Sequence, residues 1–181
     1  MGTEIFYITG FMTSGKSTIG PILANVLGWN FFDLDKVIEN EFGRSIVEIF
    51  SDKGEEEFRN LEKYHIRQIA LNKYVIVALG GGTIANEENL ALIKNTGKLI
   101  YLRASPDIIY KRIKNKIDRP LFRDMVLSES SPEDFIIRIK SLLDKREKYY
   151  EQADITIDTS EQPIGRTVDK IAKIVFRFIH E

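Results

Sequence analysis

Residues 8–20 read Ile-Thr-Gly-Phe-Met-Thr-Ser-Gly-Lys-Ser-Thr-Ile-Gly. The apolar run Ile5-Phe6-Tyr7-Ile8 stops at Thr9-Gly10, a loop of small residues follows, and Lys16, Ser17 and Thr18 open an amphipathic stretch. The spacing Gly10-x-x-x-x-Gly15-Lys16-Ser17 has a physical reason. Glycines let the backbone turn so that successive N–H groups converge on phosphate oxygens; the lysine reaches the β and γ phosphates and the serine hydroxyl ligates Mg²⁺. A helix opening at Lys16 adds its positive end. A strand before the loop and a helix after it predict a nucleotide-phosphate cradle formed by Thr13, Ser14, Gly15, Lys16, Ser17 and Thr18.

The rest of the chain bounds what that cradle serves. Its 181 residues suit one domain, and 43% hydrophobic with 29% charged residues is a globular mixture. A formal net charge of −1 gives no electrostatic footprint for nucleic acid. Without cysteine there is neither a disulfide nor a zinc-thiolate site, which is compatible with a reducing cytosol. His65 and His180 are too few and too far apart for a histidine metal cluster. The longest strongly apolar run is Val75–Leu79, against the roughly 20 residues that a membrane span needs. Met1–Glu4 carries no basic segment, so no signal peptide is expected.

Short apolar runs alternate with longer amphipathic ones. Strands are predicted at 4–9, 31–34, 74–79, 98–103 and 154–158. Helices are predicted at 16–28, 36–42, 46–51, 55–72, 87–95, 106–116, 132–152 and 164–179. That alternation implies a five-stranded parallel sheet covered on both faces, an α/β/α sandwich. The stretch 117–131, with two arginines, a proline and a serine cluster, breaks the rhythm and reads as a mobile surface loop or lid. Ser131-Pro132 then restarts a helix with a cap and a first-turn proline.

A cradle alone does not choose between GTPase, motor, small-molecule kinase and silent nucleotide sensor. Asn115-Lys116-Ile117-Asp118 imitates a guanine-reading motif, but it follows a helical pattern rather than a strand, and no Asp-x-x-Gly occurs. Gly80-Gly81-Gly82-Thr83-Ile84-Ala85 imitates a dinucleotide loop, but the next strand ends in Leu102-Arg103 without the required acid. A glycine run at the end of a strand is still where a ligand approaches backbone closely.

Three further features describe an acceptor. Asp33 and Asp35, two apart at a strand end, share one face, so one can hold Mg²⁺ and the other accept a hydroxyl proton; they can equally be solvated turn acids. Arg59 and Glu62 are neighbours on a helix, either a surface ion pair or an arginine fork held ready for a carboxylate. Arg146 lies in phase with the apolar stripe Phe135, Ile139, Leu142 and Leu143, and either snorkels to solvent or points into a site. Two arginines suit an anionic acceptor and one aspartate suits activation of a neutral hydroxyl.

These segments carry a resemblance. GFMTSGKSTIG (10–20), FFDLDKVIE (31–39), GRSIVEIF (43–50), GEEEFRNLE (54–62), VALGGGTI (77–84), DRPLF (118–122), REKYYEQAD (146–154) and the 157–163 turn occur in the order found in shikimate kinases, and the chain resembles that family. The resemblance implies a P-loop NTPase fold of the nucleoside monophosphate kinase-like branch, one domain over 1–181, with a mobile lid at about 113–131. It implies transfer of the ATP γ-phosphate to the 3-hydroxyl of shikimate, on the route to chorismate and the aromatic amino acids, by a cytoplasmic monomer without nucleic-acid or membrane partners. By the same likeness Asp35 binds the shikimate hydroxyls and is the base, with Lys16 and Arg119 as its catalytic companions on the transferring phosphate. Arg59 and Arg146 grip the carboxylate, Glu62 orients Arg59, and Gly80, Gly81 and Gly82 line the ring. Ser17 and Asp33 serve Mg²⁺, and Arg112 with the Gln162–Pro163 turn flanks adenine. One departure stands out: the family usually has glycine where this chain has Thr13, and a β-branched residue resists positive φ. Arg123 and His65 receive no role, His65 being read as a helix residue with a satisfied partner. The alternatives are another small-molecule kinase of this build, such as a gluconate kinase, and a silent nucleotide-binding module, which would be expected to lose Lys16, Asp35 or Arg119.

Overall fold

The structure is a computed structural model and describes residues 4–117 and 121–180. Five strands, β1 (Ile5–Thr9), β2 (Asn30–Asp33), β3 (Val75–Ala78), β4 (Lys98–Arg103) and β5 (Ile155–Asp158), run parallel in the order β2-β3-β1-β4-β5. A parallel sheet needs cover on both faces, and the period-two alternation of β1 supplies the two apolar surfaces. Ile5 and Tyr7 face one layer, where α2 (Leu34–Phe42), α3 (Ile46–Ile69) and α4 (Glu87–Thr96) pack Ile38, Ile66 and Ile93 against them. Phe6 and Ile8 face the other, against Leu23 of α1 (Lys16–Leu27) and Ile171 of α8 (Ile164–His180). Each such fully buried side chain contributes about 1.5–3 kcal/mol. A third cluster around Phe11, Ile109 and Phe135 ties the phosphate loop to α5 (Pro106–Ile113) and α7 (Pro132–Tyr150). The expected α/β/α architecture is what forms.

The strand order reverses at β1, whose neighbours are β3 and β4, and loops diverge at such a switch point to leave a crevice. The phosphate loop follows β1, Asp33 ends β2 and the glycine run follows β3, so all three meet at one edge of the sheet.

Three sequence expectations are corrected. Helix α2 begins at Leu34, not 36, and Asp33 is its N-cap, accepting from the Lys36 N–H at 3.3 Å. Asp33 and Asp35 therefore do not share a strand face; one ends the strand and the other lies in the first helical turn. The stretch 117–131 contains a short helix, α6 (Arg123–Leu127), and Phe122 before it is fully buried between Phe11 and Phe135. His65 is buried, but its Nε2 has no hydrogen-bond partner among the described residues, and the nearest carboxylate oxygen, on Glu41, is 3.6 Å away. The expected break between the helices at 46–51 and 55–72 survives as a kink at Gly54, whose φ of 81° no helix accommodates.

Candidate functional site

At the phosphate loop, α1 starts without a side-chain cap: Gly15, with φ 108°, occupies the N-cap position. The first N–H groups of the helix are thus open to an anion. Ser17 and Thr18 are exposed on that turn. The Lys16 ammonium folds back onto the loop, donating to the Gly10 carbonyl at 2.7 Å and the Phe11 carbonyl at 3.2 Å. Thr13 takes the left-handed conformation at φ 62°, the geometry that glycine would adopt without cost.

A cavity of about 490 Å³ runs from this loop to the glycine run. Lys16, Ser17, Asp33, Asp35, Arg59 and Arg146 all line it. Another cavity of about 440 Å³ lies between β4 and α7, but it holds no glycine loop and none of these groups. Chemistry, not size, picks the site.

Each glycine of the run faces one candidate side chain. A Cβ at Gly80 would stand 2.7 Å from the Asp35 carboxylate, one at Gly81 3.4 Å from the Arg146 guanidinium, and one at Gly82 2.9 Å from that of Arg59. Arg146 also donates to the Gly81 carbonyl at 2.8 Å, so the arginine in the apolar stripe turns into the site. Burial, followed by the charges of Asp33 and Glu62, pushes the Asp35 carboxyl up from 3.8 to about 6, against the pull of Lys16. Such a group is a competent proton acceptor near neutrality.

Arg59 donates to Glu62 at 2.6 Å, and Glu62 is 1% exposed. The same carboxylate accepts from the Thr83 hydroxyl at 2.6 Å and from the Asn89 amide at 3.3 Å. Burial raises the Glu62 pKa and outweighs the opposing pull of Arg59 and Thr83. Thr83 and Asn89 escaped the sequence reading, as did Phe50 and Phe58, which line the cavity beside Arg59. The aromatic pair flanking an arginine fork was a usable signal; a lone Asn in a helix was not.

Beside the glycine-rich loop after β1, Arg112 donates to the Thr13 carbonyl at 2.9 Å and the Thr159 carbonyl at 2.8 Å, and burial lowers its pKa. Gln162 is exposed in the turn before α8. Arg119 lies outside the described residues. Lys116 follows the end of α5, not a strand, in line with the dismissal of the guanine motif. Among the described residues no trio of His, Cys, Asp or Glu gathers as a metal cluster. A Mg²⁺ carried by phosphates asks for less, one or two protein oxygens. Ser17 and Asp33 both line the cavity and are oxygen donors of the kind that need asks for, the Asp33 oxygen not used for capping being available.

A family model for shikimate kinase matches residues 12–176. A shikimate kinase of Chlorobium limicola is 42% identical over 98% of this chain and 89% of its own, and one of Chlorobaculum parvum 43% identical over 97% and 94%. Among solved structures, the shikimate kinase of Bacteroides thetaiotaomicron superposes with a TM-score of 0.83 at 26% identity, covering 96% of this chain and 99% of that one. That of Acinetobacter baumannii, in complex with shikimate, gives 0.82 at 29%, covering 97% and 94%. A gluconokinase of Sinorhizobium meliloti, at 0.61 and 13% identity over 98% and 94%, shares the fold alone. The fold is that of the P-loop NTPases.

Proposed function

The chain belongs to the shikimate kinase family, ATP-dependent kinases of shikimate, and we propose that this cavity moves the ATP γ-phosphate to the shikimate 3-hydroxyl with the residues just described. The observation that carries the assignment of roles is the pairing of Asp35, Arg146 and Arg59 with Gly80, Gly81 and Gly82 across from the phosphate loop. Absent side chains let a ring lie against backbone, and the two guanidiniums beside it suit a carboxylate bound two-pronged. Asp35 takes the proton from the attacking hydroxyl. Lys16 leaves its loop carbonyls and neutralises charge on the transferring phosphate. Ser17 and Asp33 would hold a Mg²⁺, which supplies charge neutralisation to the phosphates when bound. Arg112 and the turn around Gln162 flank the base. The reading has the chain work as a single domain and a monomer in the cytoplasm, where ATP is supplied.

Gluconate carries a carboxylate too, so the two arginines suit either acid; shikimate is favoured because the relatives above 40% identity are shikimate kinases, whereas the gluconokinase likeness is of fold alone. A silent module has no use for a carboxyl raised to about 6 over the acceptor cavity. The test is ADP release from MgATP with shikimate, gluconate or a nucleoside monophosphate. Turnover with shikimate alone is expected; equal turnover with gluconate, or none with any acceptor, overturns the reading.

A further inference from the structure

Thr13 occupies a backbone conformation that its side chain opposes. Its φ is 62°, and a β-branched residue there crowds its own backbone. Its side chain offers no compensation, since the Thr13 hydroxyl is buried without a hydrogen-bond partner among the described residues. What holds the residue is its carbonyl, which accepts from Arg112 at 2.9 Å.

The grip is well founded. Arg112 sits near the end of α5, whose Ile109 and Ile113 are fully buried in the cluster that also takes in Phe11 of the phosphate loop. Its second prong reaches the Thr159 carbonyl at 2.8 Å. Thr159 in turn donates its hydroxyl to the Ser14 carbonyl at 3.2 Å, and its N–H to Arg103 at the end of β4 at 2.8 Å. Two consecutive phosphate-loop carbonyls are thus anchored to one guanidinium and one turn. Arg112 follows β4 and Thr159 follows β5, on the opposite side of β1 from β3, which the glycine run follows.

We infer that Arg112 is a positioning residue for the phosphate loop: it clamps Thr13 in the left-handed conformation that the cradle needs and that glycine would adopt unaided. The inference rests on the nucleotide-binding reading of that loop and goes beyond a role for Arg112 at the base. Without the clamp, the free loop relaxes to conformations that threonine prefers, and phosphate binding has to restore the strained one. With glycine at position 13 there is nothing to restore.

The test is a double-mutant cycle read with magnesium tripolyphosphate, a probe that carries the phosphates and no base. Calorimetric Kd values are measured for the parent, Arg112→Met, Thr13→Gly and the double variant, with thermal melts to establish folding. Arg112→Met is expected to weaken tripolyphosphate about tenfold in the threonine chain, the order set by one strained residue, and less than about threefold in the glycine chain. Arg112→Lys keeps the charge and loses the two-pronged grip, so it is expected to show the same dependence on residue 13 and stands in should Arg112→Met fail to fold. An equal loss in both backgrounds marks a plain effect of charge and overturns the inference, as does an unchanged Kd in the threonine chain. A parent that binds neither tripolyphosphate nor MgATP overturns the phosphate-cradle reading itself, and the inference with it.

Discussion

The Thr83 hydroxyl donates a 2.6 Å hydrogen bond to Glu62, joining the turn after the glycine run to the helix that carries Arg59. Glu62 is almost wholly buried, and a buried carboxylate persists only with its oxygens occupied. Arg59, Thr83 and Asn89 occupy them, and the Arg59 guanidinium is thereby fixed over Gly82. The part of the cavity that Arg59 and the glycine run line is supported from behind by the neutral polar residues Thr83 and Asn89.

Thr83→Val keeps the shape of the side chain and removes this donor. Leaving a buried carboxylate oxygen short of a partner is expected to cost about 1–3 kcal/mol of stability, read by urea denaturation. Because Thr83 holds the Glu62 pKa down, its loss raises that pKa further and loosens the hold on Arg59. The KM for shikimate should rise several-fold while that for ATP stays put; parallel changes in both would show that Thr83 does not act through Arg59.

Gly82→Ala tests the close approach. Its Cβ would stand 2.9 Å from a terminal nitrogen of Arg59, the far end of a flexible side chain. The fold should absorb the methyl, with a melting shift of a few degrees at most, while the guanidinium is displaced from the position proposed to bind the carboxylate. A rise in the shikimate KM of about tenfold, the equivalent of roughly 1.4 kcal/mol, is the expected reading. An unchanged KM would remove Arg59 from the acceptor contact.

The fold was legible because its signals are local. Strand 98–103 appears at its predicted bounds, since Lys98-Leu99-Ile100-Tyr101-Leu102-Arg103 is bounded by Gly97 and a capping serine, Ser105. The Asp33–Asp35 geometry was not legible, because a capping aspartate and a strand-end aspartate look alike until the helix start is known. Helix α6 has five residues and no side-chain cap, too little for periodicity to register. Arg146 could be placed on an apolar stripe but not aimed, since its partner carbonyl, Gly81, lies 65 residues away. Asn89 was invisible for the same reason: its contact with Glu62 spans 27 residues.

With Asp35 as the proposed proton acceptor, its carboxyl is expected to set the acid limb of the pH profile. With its carboxyl pushed up to about 6, the basic form is lost as pH falls through that value. The plot of kcat/KM for shikimate against pH should therefore drop below about pH 6, with a slope approaching one proton. A profile flat down to pH 4.5 would place the proton acceptor elsewhere.

Asp35→Asn separates the chemical role of this carboxyl from its cost to folding. A carboxyl that titrates near 6 when folded and near 3.8 when unfolded binds its proton more tightly in the folded chain. That difference favours folding at low pH, where both states are protonated, and is lost as pH rises through 6. At neutral pH the charged, partly buried Asp35 therefore weakens the fold by about 2–3 kcal/mol, toward the low end because solvent reaches it. The asparagine variant should be more stable than the parent at pH 7.5, about equal at pH 3.5, and should lose turnover by about 10²- to 10⁴-fold, the range for a general base. Equal stability at both pH values would mean that the raised pKa is not a property of the folded site. Retained turnover would mean that another group takes the proton. Gain in stability with loss of turnover is the pattern expected of a charge that the fold tolerates because the reaction requires it.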